Sequence, residues 1–292
     1  MLYIEPSDGP APIVQVIDQA RHSVDLNVYY LSSRPIMAAL KAARARGVDV
    51  RVILDGKPYG MKPWQVSKEF RTVAALGVQV HQAPARFEAP YVYDHAKYVC
   101  NGHECEIGTA NFDWSAFHRN REYLYVTKNP AVVTAAQDVF AADWNNRRAP
   151  ASAHRVLVLS PGTSAAQLLQ VINQPGPIDV ESEELGPYQP ILNALAAKGK
   201  DLRLILPASI NEQDKRDVAF LQSHGCHVRL LPKKPIYMHA KMIVGQRLAF
   251  VGSENFTQTS LENNREMGLI LGGSDLAKLK AQFDRDWTKA DV

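Results

Sequence analysis

Short apolar runs alternate with amphipathic stretches along most of the chain, and the alternation predicts strands interleaved with helices. Residues 2–4 read as a short strand, and Ile13, Val14, Val16, Ile17 and Ala20 mark one face of a helix. Residues 24–29 alternate as a strand, and Ile36, Leu40 and Ala43 mark a second helix that ends at Gly47. Residues 48–54 are a β-branched strand, 65–76 a helix stopping at Gly77, and 78–82 another strand. The rhythm then changes. Residues 91–100 and 105–108 read as a hairpin around Asn101-Gly102. A turn at Asn111, a short segment at 114–117, a strand at 122–126 and a helix at 131–144 follow.

Residues 145–155, rich in Ala, Arg, Pro and Ser, read as a linker, after which the order repeats. Strands are expected at 156–159, 178–181, 202–206 and 227–231, with helices at 165–172, 191–197 and 215–224. A second hairpin at 238–244 and 248–251, a strand at 266–271 and a helix at 275–287 complete it. Both closing helices carry Asp-Trp, at Asp143-Trp144 and Asp286-Trp287. The expected fold class is α/β: two similar mixed-sheet α-β-α halves, 1–148 and 155–292, related by a pseudo-twofold axis.

Composition narrows this only a little. The 292 residues are 46% hydrophobic and 22% charged, enough for a real core, and no apolar run reaches bilayer-spanning length. With 33 Lys and Arg against 30 Asp and Glu the net charge is +3, too small to imply a polyanionic partner. The chain enters strand-like sequence at once, so no signal peptide is expected in it, although an exported protein with its signal removed would read the same. Cys100 and Cys105 flank the hairpin turn and could pair or could be two small buried thiols; Cys226 has no obvious mate. Neither Cys nor His has zinc-ligand spacing.

The chemistry lies in the repeat. Asp94-His95-Ala96-Lys97, Gly108-Thr109-Ala110-Asn111-Phe112 and Asn120-Arg121-Glu122 recur 144 residues later as His239-Ala240-Lys241, Gly252-Ser253-Glu254-Asn255-Phe256 and Asn264-Arg265-Glu266. Residues two apart on a strand share a face, so His95 and Lys97 can reach one ligand while Ala96 packs behind. Taken singly, each residue has an ordinary reading: a core histidine, a turn asparagine, an ion-pair glutamate. Packing seldom demands the same polar set twice at one offset. If a pseudo-twofold joins the copies, one site holds two imidazoles, two ammonium groups, two carboxamides, two hydroxyls and two carboxylates. Such a set suits an oxyanion, with one imidazole as nucleophile and the other as acid.

The doubled His-x-Lys and Gly-(Ser/Thr)-x-Asn pattern resembles the phospholipase D superfamily of phosphodiesterases, from about residue 2 to residue 287. The resemblance implies a covalent phosphohistidine mechanism with no metal and no cofactor. His95 would be the nucleophile and His239 the general acid. Lys97, Lys241, Asn111 and Asn255 would cradle the phosphate, and Glu122 and Glu266 would orient the histidines. Thr109, Ser253, Gly108 and Gly252 are expected at the substrate. Both motifs lie in one chain, so activity as a monomer without an obligate protein partner is expected. The family's Asp five residues after the Lys is replaced by Gly102 and Gln246, which is expected to affect stability before chemistry.

The resemblance implies a phosphodiester substrate: a phospholipid, hydrolysed or undergoing headgroup exchange, or alternatively DNA or RNA. Loops 57–64, 86–91 and 232–237 mix basic and aromatic residues, which would serve either. The modest net charge favours lipid over a non-specific nuclease. A catalytically silent phosphate-binding scaffold is the remaining reading, but such a protein would be expected to lose a motif residue, and all four His and Lys are kept.

Overall fold

A computed structural model describes residues 1–291. The first half runs β1 (Leu2–Glu5), α1 (Ala11–Asp18), β2 (Ser23–Val28), α2 (Arg34–Ala45), β3 (Asp49–Leu54), α3 (Pro63–Ala74), β4 (Gln79–Gln82), β5 (Lys97–Cys100), β6 (Cys105–Gly108), α4 (Trp114–His118), β7 (Asn120–Thr127) and α5 (Pro130–Trp144). The second runs β8 (Val158–Ser160), α6 (Ser164–Ile172), β9 (Ile178–Ser182), α7 (Gln189–Ala197), β10 (Leu202–Pro207), α8 (Glu212–Ser223), β11 (His227–Leu231), β12 (Tyr237–Met238), β13 (Lys241–Val244), β14 (Ala249–Gly252), α9 (Gln258–Glu262), β15 (Glu266–Leu271) and α10 (Asp275–Trp287).

The two sheets have the same topology. One is ordered β4-β3-β2-β5-β6-β7-β1 and the other β11-β10-β9-β13-β14-β15-β8. Crossover helices make β2, β3 and β4 parallel, and β9, β10 and β11 likewise, whereas hairpins make the other half of each sheet antiparallel. Both faces are covered. Val24, Leu26, Val28, Val50 and Val52 face Ile13, Ile17, Ile36 and Leu40 of α1 and α2, in a core belonging to the first half alone. Tyr98, Ile107 and Tyr123 face the other way, into a core that also holds Phe140 of α5, Met242, Val251 and Met267 of the second sheet, and Phe283 of α10. That shared core fixes one half on the other.

The local signals act as expected at most ends. Gly47 and Gly77 follow α2 and α3 with φ of +85° and +81°, a conformation that other residues adopt only with strain. Proline opens α2, α3, α5 and α7, where its missing N–H would have no partner anyway. A disulfide joins Cys100 to Cys105, which stand directly opposite each other on β5 and β6.

Three expectations need correction. The strand expected at 91–100 is regular only from Lys97, so His95 stands just before it. The arm expected at 238–244 is split, and its first piece, β12, pairs in parallel with β7 of the other half, Tyr237 opposite Asn120 and Met238 opposite Arg121. Asp94 mirrors this with a parallel bridge to Arg265. The strand expected at 156–159 is displaced to Val158–Ser160, because the preceding residues form a turn that buries Ala153.

Candidate active site

The cross-half pairing decides which side chains meet. His95 N donates to Arg265 O at 2.8 Å, and Arg265 N donates to Tyr93 O at 2.9 Å. The next residue, Glu266, is thereby set beside His95, with its Oε2 3.0 Å from Nδ1. In the mirror arrangement Tyr237 N donates to Arg119 O, and Glu122 Oε1 lies 2.6 Å from His239 Nδ1. Each histidine is therefore backed by the glutamate of the other half. Asn120 and Asn264 donate to these glutamates at 3.1 and 3.0 Å, holding each carboxylate from its own strand.

The Asn-Arg-Glu arginines lock the same exchange. Arg265 forks onto Asp143 with contacts of 2.7 and 2.9 Å, and its third nitrogen reaches Ser160 O. Arg121 forks onto Asp286 at 2.6 and 3.0 Å and reaches Glu5 O. The repeated Asp-Trp and Asn-Arg-Glu signals thus meet across the pseudo-twofold, a role the sequence did not disclose.

The lysines sit one strand step beyond. Lys97 and Lys241 are fully buried, and each Nζ donates to the carbonyl of its own motif histidine. Burial lowers the Lys97 ammonium to about 7; Glu266 pulls against this and Lys241 adds to it. Burial also acts on Lys241, but Glu183, whose Oε2 lies 2.7 Å from Nζ, and Glu122 more than offset it and hold Lys241 above its usual range. Burial lowers His95 although Glu266 pulls it up. Glu266 is held below the ordinary carboxylate range by His95 and Lys97 despite its burial.

Asn111 follows the strand end next to Phe112, which bridges Leu31, and Asn255 is placed likewise by Phe256 and Leu185. Each has an Oδ1 without a partner, and Asn255 Nδ2 reaches Glu184 at 3.3 Å. The hydroxyls and glycines expected at the substrate are placed otherwise. Thr109 is wholly buried and donates to Glu122 Oε2 at 2.6 Å. Ser253 is wholly buried against the Met267 backbone. A Cβ on Gly108 would stand 2.5 Å from Tyr123 O, and one on Gly252 would stand 2.5 Å from Gly268 Cα. These four residues are held by close strand packing and by hydrogen bonds to the Glu122 carboxylate and the Met267 backbone. Gly102 and Gln246 lie in the two hairpin turns, at the opposite ends of the strands from the histidines.

Glu183 went unnoticed in the sequence. It reaches His239 Nε2 at 3.3 Å as well as Lys241. Val28 lies opposite Lys97 and Ser182 opposite Lys241, so Glu183 is the counterpart of Tyr29. Tyr29 sets its ring edge-on to His95, with centroids 4.8 Å apart, and lies 5.3 Å from Lys97 Nζ. The offset between these two is 154 residues rather than 144, and that is why a fixed-offset comparison passes over them.

The slot is narrow. Both histidines are 9% exposed, and a cleft of about 990 Å³ lies elsewhere, beside Arg46 and the Asn101–His103 turn. Tyr59, whose N–H binds the Tyr29 hydroxyl, and Tyr91 are strongly exposed near the His95 side. No helix among the described residues is long and apolar enough to cross a membrane.

Fold and site together define a duplicated α/β protein with one two-histidine centre between its halves. A family described as "Cardiolipin synthase, PLD-like domain" matches residues 13–144 and 183–287, and the chain belongs to that family. A cardiolipin synthase of Clostridium perfringens (strain SM101 / Type A) is 27% identical over 132 residues, 44% of this chain and 26% of that protein. The match thus spans about a quarter of that relative's length. A phospholipase D of Rickettsia bellii (strain RML369-C) is 26% identical over 147 residues, 50% of this chain and 67% of that protein. The crystal structure of phosphatidylserine synthase from Haemophilus influenzae Rd KW20 superposes with a TM-score of 0.70, covering 99% of this chain and 85% of that one at 9% identity, a likeness of fold.

Proposed function

We propose that the protein is a metal-independent phosphodiesterase that hydrolyses or transfers a phosphodiester, with phospholipid as the substrate class. The observation that carries this reading is the glutamate exchange: each imidazole has one nitrogen against a buried carboxylate and the other turned into a shared slot. With the His95 Nδ1 proton directed at Glu266, its Nε2 lone pair is free to attack phosphorus. As the P–N bond forms, the bond to the leaving oxygen breaks, and protonated His239 gives that oxygen its proton from Nε2. Water or an alcohol then loses a proton to His239 and attacks phosphorus, and the P–N bond breaks to restore His95. Lys97, Lys241, Asn111 and Asn255 neutralise and hold the non-bridging oxygens.

Exposed Tyr59, Tyr91, Trp64 and Trp114, with Lys57 and Lys62 among them in sequence, support contact with a lipid interface. Similarity to a cardiolipin synthase and a phospholipase D supports the same class. The test is a side-by-side assay in excess EDTA on phosphatidylcholine vesicles, single-stranded DNA and double-stranded DNA, with H95A as blank. Release of headgroup is expected, falling at least about a thousandfold in H95A and in H239A. Strict dependence on a divalent metal, or near-normal rates in either variant, refutes the mechanism. Cleavage of DNA alone transfers the reading to a nuclease.

A further inference from the structure

Glu183 has no part in that scheme, yet its Oε2 holds the two contacts that a non-bridging oxygen would make on the His239 side: 2.7 Å to Lys241 Nζ and 3.3 Å to His239 Nε2. The pseudo-symmetric position is Tyr29, which covers His95 and Lys97 with a neutral ring. One half of the cradle is therefore lidded by a phenol and the other filled by a carboxylate. We propose that Glu183 is a built-in stand-in for a phosphate oxygen. It fills the Lys241–His239 half of the cradle in the free protein, and an incoming phosphodiester must displace it.

The carboxylate responds to its setting: burial would raise it, but His239 and Lys241 take it down to about 2. Moved aside, it meets few other cations. The groups around it are His95 and Lys97 of the same slot, the phenols Tyr29 and Tyr237, and Glu184. The displaced charge thus stays beside the phosphate. It penalises a second anion on that side and favours a neutral or cationic alcohol. This substrate preference rests on the phosphodiesterase reading; the occupation of the cradle does not.

The experiment titrates the whole chain with inorganic phosphate by calorimetry, comparing the wild type with E183Q and E183A. Two like charges a few ångströms apart in a buried site predict phosphate binding about tenfold or more tighter in both variants. The kinetic arm uses p-nitrophenyl phosphocholine and bis(p-nitrophenyl) phosphate. KM should fall by more than kcat changes, and the preference for the choline ester should shrink. Phosphate binding that is unchanged, weaker or absent in cooperatively melting variants overturns the proposal. So does a collapse of kcat with KM unmoved, which would make Glu183 an acid–base group. Tighter phosphate binding with no hydrolysis by any form leaves the stand-in intact and refutes the phosphodiesterase instead.

Discussion

Asp143→Ala removes the counter-ion of a buried arginine and tests how the site is assembled. Asp143 is inaccessible and Arg265 nearly so, with side-chain exposures of 0% and 2%. Losing one partner of such a pair costs about 3–5 kcal/mol, because the charge left behind is desolvated and unmatched. Arg86, the other partner of Asp143 at 2.6 Å, is 29% exposed and can turn to water, so it adds little. Asp94 acts on Arg265 from nearby and takes up part of the loss, which favours the lower end of the range. At about 2–4 °C per kcal/mol for a chain of this size, the melting temperature should fall by about 6–12 °C. Calorimetric melts of D143A, R265M and the double variant give the check. The double variant should recover much of the loss, with a coupling of at least about 2 kcal/mol. A fall under 2 °C for D143A, or strict additivity, would show that the fork does not hold the halves together.

The glutamate exchange predicts that E266Q lowers the ring pKa of His95 in NMR titration while E122Q leaves it in place, with catalysis falling about 10–100-fold in each; a His95 response to E122Q alone would reverse the pairing. Lys97 loses its proton near pH 7 when folded but only near 10.5 when unfolded. Between those values the unfolded chain binds more protons, so this group makes stability rise with pH, and K97M should flatten that rise in melts taken from pH 7 to 9. The Cys100–Cys105 loop is short and already closed by β5 and β6, so replacing both cysteines with alanine should cost at most about 2 kcal/mol in denaturant titration.

Most elements were legible because their signals are local. Apolar period and glycine stops place α1, α2, β2 and β3 within a residue or two. The helix α9 was missed because Gln258-Thr259-Ser260 carries no apolar period; it is set by Thr257, whose hydroxyl accepts from Ser260 N at 3.2 Å. The strand β12 has two residues and exists only because β7 of the other half lies alongside, so no local pattern marks it. The repeat named both glutamates but not which histidine each would serve, since that depends on pairing between segments more than a hundred residues apart.

Duplication also hides what differs. Two identical half-sites would give both histidines the same surroundings, yet a nucleophile and an acid need opposite proton states. The halves part where the shared offset breaks, with a phenol beside Lys97 and a carboxylate beside Lys241. Lys97 falls to about 7 while Lys241 rises. Lys241 is held high by the Glu183 carboxylate at 2.7 Å, which also stands 3.3 Å from His239 Nε2. His95 is held low by burial, which favours a free lone pair. Part of the difference between the two lysines therefore comes from a position outside the motif, where Tyr29 stands in one half and Glu183 in the other.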